Sequence, residues 1–369
     1  MRVLATREEL AQALQELEGA PTYYIDTEFE SSKQGKRLSL IQVSRGEEIY
    51  LVDALRLPLA SLPDLGKVLC HGSAQWVLHA GLQDVELLLQ VFAPERVPSL
   101  FDTQVVWGMI GPEASVSLAF LVFRVLGVRS SKGYQADDWL RRPLPPAQLE
   151  YAAQDIAHLP AIEKQLRSRA RELGREQLIP DACRELLLPM PADPLPLTFE
   201  SFRNAWQLDS VGQTALRALI EWDNSLPEGS VLVQPKTLLS IASRMPANVA
   251  DLGRIKGVSG HFARTHGNQV IALLNRASKT APELDAMEPQ DYASFEDFVR
   301  EARLLLIRAE LCAELSIAPD LALPMAVVRR MQQRANAARD LAAAALELRG
   351  WRASLLGAAF PVHARRFAP

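Results

Sequence analysis

No run of 18 apolar residues occurs in the chain, so no stretch is predicted to cross a membrane as a helix. Cysteine is scarce: Cys70, Cys183 and Cys312 lie far apart and offer neither a disulfide framework nor metal-ligand spacing. The start, Met1-Arg2-Val3-Leu4, lacks the architecture of a signal peptide. Together these absences predict a reducing, cytoplasmic setting. Gly35-Lys36 and Gly66-Lys67 lack the following Ser or Thr of a phosphate-binding loop, so no nucleotide cofactor is expected. Charge of one sign is lacking too, and a net charge of −4 excludes a generic polyanion binder. The distribution says more. Between Lys236 and Lys279 seven Lys and Arg stand against one acid, Asp251, and that segment suits a phosphate backbone. With 369 residues, 48% hydrophobic and 23% charged, the chain has material for two or three folded domains.

The informative stretch is Tyr23-Tyr24-Ile25-Asp26-Thr27-Glu28-Phe29. Aromatic and β-branched residues predict a buried strand. Strand side chains alternate faces, so Asp26 and Glu28 project from one side. Two carboxylates side by side in an apolar strand need positive charge between them, and a divalent metal supplies it. An edge strand with a solvated acidic face is the plainer alternative.

Thr6 and Glu9 form a capping-box pattern ahead of a helix through Leu17. Two strands, Leu38–Val43 and Glu48–Val52, flank the turn 44–47. A helix over Leu62–Leu69, a short strand Trp76–His79 and a helix from Asp84 come next. Residues 101–127 read as mostly helical, broken at Gly111-Pro112, and one long helix is expected from Pro146 to Leu173. Strands followed by interleaved helices predict a mixed sheet flanked by helices. Four prolines within 188–196 mark a stiff linker. Everything beyond reads as helix, including the alanine-rich run 337–348. Phe199-Glu200-Ser201-Phe202 and Phe295-Glu296-Asp297-Phe298 open two helical units alike, which suggests a diverged duplication.

Further carboxylates can join the strand pair. Asp84 begins a helix, where an acid also complements the helix dipole. Tyr151 and Asp155, four residues apart, share one helix face, where packing and solvation explain them equally well. The order of these groups is the sharper signal. Asp26-Thr27-Glu28-Phe29 with Leu40-Ile41-Gln42, then His79-Ala80-Gly81-Leu82-Gln83-Asp84, then Asp138-Trp139, Arg142-Pro143-Leu144 and Gln148–Asp155 resemble the three motifs of DEDDy-type exonucleases, and within them the ribonuclease D family. Thr237–Ala242, Met245-Pro246 and Leu252–Gly260 are similar to the HRDC domain, and Ile317–Leu321 with Gly350-Trp351-Arg352 resembles a second, degenerate copy.

The resemblance implies a ribonuclease H-like α/β exonuclease domain over 1–188, a Pro-rich linker over 189–198, an HRDC domain over 199–280 and a degenerate HRDC domain over 281–369. It implies 3′-5′ removal of mononucleotides from structured RNA, foremost precursor tRNA. Two divalent ions, Mg²⁺ or Mn²⁺, would be held by Asp26, Glu28, Asp84 and Asp155, with Tyr151 orienting the attacking water. Hard oxygen donors without thiolates suit those metals. Thr27, Gln42 and His79 would contact the terminal nucleotide, although Gln42 also reads as a polar strand end and His79 as a core histidine. Lys256 and Arg264 flank the loop Lys256–Gly260, which suits sequence-blind phosphate contacts. One departure stands out: Ser31–Arg37 replaces the family's usual Thr-Tyr-x-Pro stretch, and Lys33, Lys36 and Arg37 are expected to form a mobile basic flap. A proofreading-type DNA exonuclease and a non-catalytic RNA-binding protein are the rival readings.

Overall fold

The structure, a computed structural model, describes residues 1–32, 35–129, 138–187, 197, 199, 202, 204–226, 233–279 and 294–367. By its contacts the chain forms two compact units, Met1–Pro189 with Val299–Pro369, and Met190–Phe298.

In the first unit a six-stranded mixed sheet has the order β1-β4-β3-β2-β5-β6. Its strands are β1 (Arg2–Leu4), β2 (Thr22–Ser32), β3 (Gly35–Ser44), β4 (Ile49–Asp53), β5 (Gln75–Leu78) and β6 (Ser99–Asp102). β2 is the pivot. It pairs antiparallel with β3, setting Asp26 opposite Gln42 and Glu28 opposite Leu40, and parallel with β5. Tyr23, Ile25, Leu40, Ile41, Val43 and Trp76 are fully buried, and this apolar mass holds the central strands in register. Helix α1 (Arg7–Leu17) starts from the expected capping box, Thr6 Oγ1 accepting from Glu9 N at 3.2 Å and Glu9 Oε2 from Thr6 N at 3.0 Å. The helices α2 (Leu62–Leu69), α3 (Leu82–Phe92), α4 (Thr103–Ile110), α5 (Leu118–Leu126), α6 (Pro146–Ala157), α7 (Leu159–Glu172) and α8 (Ile179–Arg184) complete the unit's first part.

Three expectations are corrected. The helix foreseen from Pro146 to Leu173 is two helices, broken at His158. Pro160 has no N–H and disfavours helical backbone before it, so the chain turns there. The stretch from residue 101 opens with the end of β6, because Leu100 and Phe101 are needed in the sheet core. Lys36 and Arg37 lie in β3, paired with Ser31 and Glu30, rather than in a mobile flap. Ladder hydrogen bonds hold them there, and Lys36 Nζ comes within 3.4 Å of Glu86 Oε2. Lys33 and the linker residues 188–196 lie outside the described residues.

The C-terminal part holds α13 (Phe295–Glu314), α14 (Pro319–Ala322), α15 (Met325–Ala338), α16 (Gly350–Leu356) and α17 (Ala359–Arg365), with a 3₁₀ turn over Leu341–Glu347. Leu304, Ile307, Leu311, Trp351 and Phe360 are buried in the same continuous core as the sheet. Buried Arg175 donates to Met109 O, Leu315 O and, at 3.3 Å, Ser316 O. Ala318 N reaches Gly108 O at 2.8 Å, where a Cβ on residue 108 would stand 3.0 Å from Leu321. Arg352 Nη1 pairs with Glu185 at 2.6 Å. The segment from Val299 is thus packed as part of the sheet unit. The repeated opening is used differently as well: Phe199 and Phe202 are buried, while Phe295 and Phe298 are 91% and 57% exposed.

The second unit holds α9 (Ser210–Asn224), α10 (Pro235–Arg244), α11 (Val249–Leu252) and α12 (Gly260–Lys279) around Leu216, Leu219, Ile241, Phe262 and Val270. Gly257 has φ +99°, and a Cβ there would collide with the Thr237 hydroxyl. Lys256 and Arg264 are exposed. Among the described residues no helix is long and apolar enough to cross a membrane.

Removing residues 299–369 strips at least five large side chains from the sheet unit's core. At about 1.5–3 kcal/mol each, their loss is comparable to a domain's whole net stability of about 5–15 kcal/mol. The shortened chain should show no cooperative thermal transition of the sheet unit by calorimetry; an unshifted transition contradicts this packing.

Candidate active site

The site lies where β2, α3 and α6 converge. Asp26, Glu28 and Asp155 each bring a carboxylate oxygen to within 4.8 Å of the others. Asp84 adjoins them, and one of its oxygens accepts the Thr27 hydroxyl. The Tyr151 hydroxyl is hydrogen bonded to Asp155 one turn away on α6. Three of the four acids expected to carry the chemistry therefore form one cluster with Tyr151, and the fourth, Asp84, couples to it electrostatically.

Crowded, poorly solvated carboxylates resist ionisation. Burial, then repulsion from Asp84, Asp155 and Glu28, raises Asp26 well above the usual carboxylate range. Glu28 is pushed to about 8 by burial and by Asp155 and Asp84, and Asp155 to about 7 by burial. Asp84 is raised by burial, against the lowering effect of the Thr27 hydroxyl. Tyr151 is raised by burial and by Asp155 and Glu28, so its phenol keeps its proton. A trio of hard oxygen donors with unbalanced charge and no thiolate fits one or more divalent cations.

Distant parts of the chain hold these groups in place. Asp102, fully buried, accepts from Ala80 N at 3.2 Å and Gly81 N at 2.8 Å, and caps α4 through Gln104 N at 2.8 Å. It fixes the turn that launches α3 and Asp84. A Cβ on Gly81 would lie 2.8 Å from Leu78, so only glycine fits there. The approach to α6 is clamped by Arg142, which grips Asp53 at 2.6 and 2.8 Å and also donates to Ser39 O and Trp139 O. Trp139 then packs on Tyr151, ring centroids 6.3 Å apart. Helix α7 is tied to β2 by Tyr24 Oη donating to Glu163 at 2.8 Å, with Arg167 on the other oxygen at 2.8 Å.

Asp102 and Asp53 were missed as site supports. An Asp ahead of Thr103 is a readable helix-cap signal, whereas nothing local announces the Asp53–Arg142 pair across 89 positions.

A cavity of about 420 Å³ opens beside Asp26 and Asp155, walled by His79, Gln104 and Ser115–Leu118. His79 lines it, but both ring nitrogens are engaged, Nδ1 with Thr103 Oγ1 and Nε2 with Val116 O, each at 2.9 Å. Burial lowers its pKa. It braces the cavity wall, and Gln104 Nε2 grips the same Val116 carbonyl at 2.8 Å. Thr27 is buried and spends its hydroxyl on Asp84. Gln42 is fully buried behind the acids; its amide lowers the pKa of Glu28, yet neither of its polar atoms makes a well-formed hydrogen bond. Lys256 and Arg264 belong to the second unit.

Comparison with known proteins places this geometry. Residues 1–171 match the 3′-5′ exonuclease family and residues 229–274 the HRDC domain. The chain is 32% identical over 306 residues to ribonuclease D of Escherichia coli strain K12, covering 80% of this chain and 79% of that one. It is 29% identical over 374 residues to ribonuclease D of Gluconacetobacter diazotrophicus, covering 96% and 90%. The crystal structure of E. coli RNase D, described as an exoribonuclease involved in structured RNA processing, superposes with a TM-score of 0.67 at 26% identity, covering 100% of this chain and 99% of that one.

Two predictions arise from the site. The fold holds protons on Glu28 to about pH 8 and on Asp155 to about pH 7, whereas an unfolded chain releases them near pH 4. The metal-free fold should therefore lose stability, on the order of a few kcal/mol, as pH rises between those limits. In thermal melts Mg²⁺ or Mn²⁺ should raise Tm by several degrees at pH 8 and little at pH 5. Asp155→Asn should raise the metal-free Tm at pH 8 and blunt the metal response. Separately, Arg142→Lys keeps the charge but loses the two-pronged grip. Its kcat should fall about tenfold or more with KM less affected, and steady-state kinetics on an oligoribonucleotide check this.

Proposed function

The chain belongs to the ribonuclease D family, and on that premise we propose that it trims the 3′ ends of structured RNA, precursor tRNA foremost, one nucleotide at a time. It is a metal-dependent 3′-5′ exoribonuclease, a hydrolase of phosphodiester bonds. The observation that carries the finer reading is the convergence of Asp26, Glu28 and Asp155, with Asp84 beside them, where Asp26 and Asp155 line the cavity.

In this reading Asp26, Glu28 and Asp155 would hold one divalent ion and Asp26 with Asp84 a second, Mg²⁺ or Mn²⁺. Such a pair supplies a lowered water pKa and charge stabilisation at the leaving 3′ oxygen. Tyr151 stays protonated and orients the attacking water through its hydroxyl; it is no base. The cavity walls, Gln104 and Ser115–Leu118, receive the terminal nucleotide, and the braces at His79 and Asp102 keep those walls still. Exposed Lys256 and Arg264 of the HRDC domain make phosphate contacts to the folded body of the substrate. Residues 281–369 are read as a degenerate second HRDC-like domain, of which the part from Val299 packs with the sheet unit. Three unpaired, buried cysteines accord with a cytoplasmic location.

The test uses tRNA carrying a short 3′ extension, incubated with Mg²⁺, Mn²⁺ or chelator. A ladder shortening by single nucleotides, abolished by chelator, is expected. Asp26→Asn, Asp84→Asn and Asp155→Asn should each cost several kcal/mol of transition-state stabilisation, about a thousandfold or more. Tyr151→Phe should retain activity at about a tenth to a hundredth of the parent. Endonucleolytic products, or indifference to the 3′ extension, would overturn the reading.

A further inference from the structure

Helix α5 begins at the cavity and leads away from it. Ser117 and Leu118 line the cavity, and Ser117 Oγ caps the helix by accepting from Phe120 N at 3.3 Å. The preceding residue is pinned twice, Val116 O accepting from His79 and Gln104, so the helix start is rigid. Leu121 and Val122 are buried and anchor the helix to the core. The opposite face is unusual for a surface helix. Phe120 and Phe123 are 40% and 50% exposed, and Arg124 beside them is exposed with no ion-pair partner among the described residues. Positions 120, 123 and 124 are i, i+3 and i+4, so the three side chains share one stripe. The edge of Trp107 meets Phe120 at 6.4 Å between centroids, holding that ring upright.

We propose that the Phe120–Phe123–Arg124 face of α5 is a stacking platform for the single-stranded RNA just 5′ of the scissile phosphate. Phe120 lies two residues past the cavity wall, and Phe123 about 4.5 Å further along the axis, on the order of one base step. Every base offers a π-face, so aromatic rings beside an exposed arginine bind single strands without reading sequence. That suits an enzyme that removes whatever nucleotide comes last. The stripe starts one turn from Ser117, which lines the cavity, and its charge complements the phosphate backbone, which favours RNA over a second copy of this chain. The proposal rests on the exoribonuclease reading and adds a binding subsite to it.

The experiment measures KM and kcat for single-stranded oligoribonucleotides of three to ten nucleotides. For the parent, KM should fall with length as bases reach the platform. Phe120→Ala and Phe123→Ala should each raise KM for the long substrates roughly five- to a hundredfold, leave the shortest substrate least affected, and flatten the length dependence. Phe123→Trp should restore it, and Phe123→Leu, which keeps apolar bulk without a ring, should not. A 2-aminopurine base placed next to the 3′ end should lose the quenching that the parent imposes. Unaltered KM in both alanine variants overturns the platform while leaving the nuclease reading intact. Rescue by leucine, or a shift in oligomeric state by sedimentation, overturns it in favour of protein docking. A parent that degrades no substrate of any length rejects the nuclease reading itself.

Discussion

Repulsion among the carboxylates is the constraint the rest of the sheet unit answers to. Three acids within 4.8 Å, with a fourth adjoining, are held in a setting that penalises their charged forms. Left to relax, such a cluster would splay or stay protonated. Its geometry persists because each acid rides on an element fixed elsewhere: Asp26 and Glu28 on the central strand of a fully buried sheet core, Asp84 on a helix launched from the Asp102 bracket, and Asp155 on a helix seated by the Arg142 clamp. A divalent cation converts this stored repulsion into affinity, which is why a site of this kind costs stability when empty of metal and gains it when filled.

Arginines carry much of the fixing. Arg142 joins the approach to α6 to the end of β4, and Arg167 binds Glu163 while covering the face of Phe101 at 4.4 Å. Arg175 gathers carbonyls from the ends of α4 and α13, and Arg352 joins α16 to Glu185. A planar, always-charged fork suits such joints, since it satisfies several acceptors from separate segments at once. Arg175 and Arg352 show how the helices after residue 298 became part of the sheet unit. Arg175 reaches forward to the carbonyls of Leu315 and Ser316, and Arg352 reaches back to Glu185.

The same economy shows in the protein partners that other expected residues take. His79 and Thr27 were foreseen against the terminal nucleotide, and both spend their polar atoms on protein partners. His79 keeps the cavity wall in position, and Thr27 holds an acid. Lys36, foreseen in a mobile flap, is drawn into the β2–β3 ladder and toward Glu86, where its ammonium also sits over the Phe29 ring.

The strand alternation that sets Asp26 and Glu28 on one face, the four-residue step from Tyr151 to Asp155 and the Thr6–Glu9 cap were legible in the chain alone, because each depends on spacing within one element. So was the helical character of the described residues beyond the prolines, and motif order was enough to indicate the family. What the chain could not disclose depends on pairs far apart in sequence. Asp53 with Arg142, Tyr24 with Glu163 and Arg175 with Leu315 meet only when the core has closed, and no local pattern encodes a partner 89 to 140 positions away. The burial that raises the carboxylates, and the joining of the last 71 residues to the sheet rather than to the first helical unit, were likewise decided by tertiary packing, since both are properties of what surrounds a side chain and not of the side chain itself.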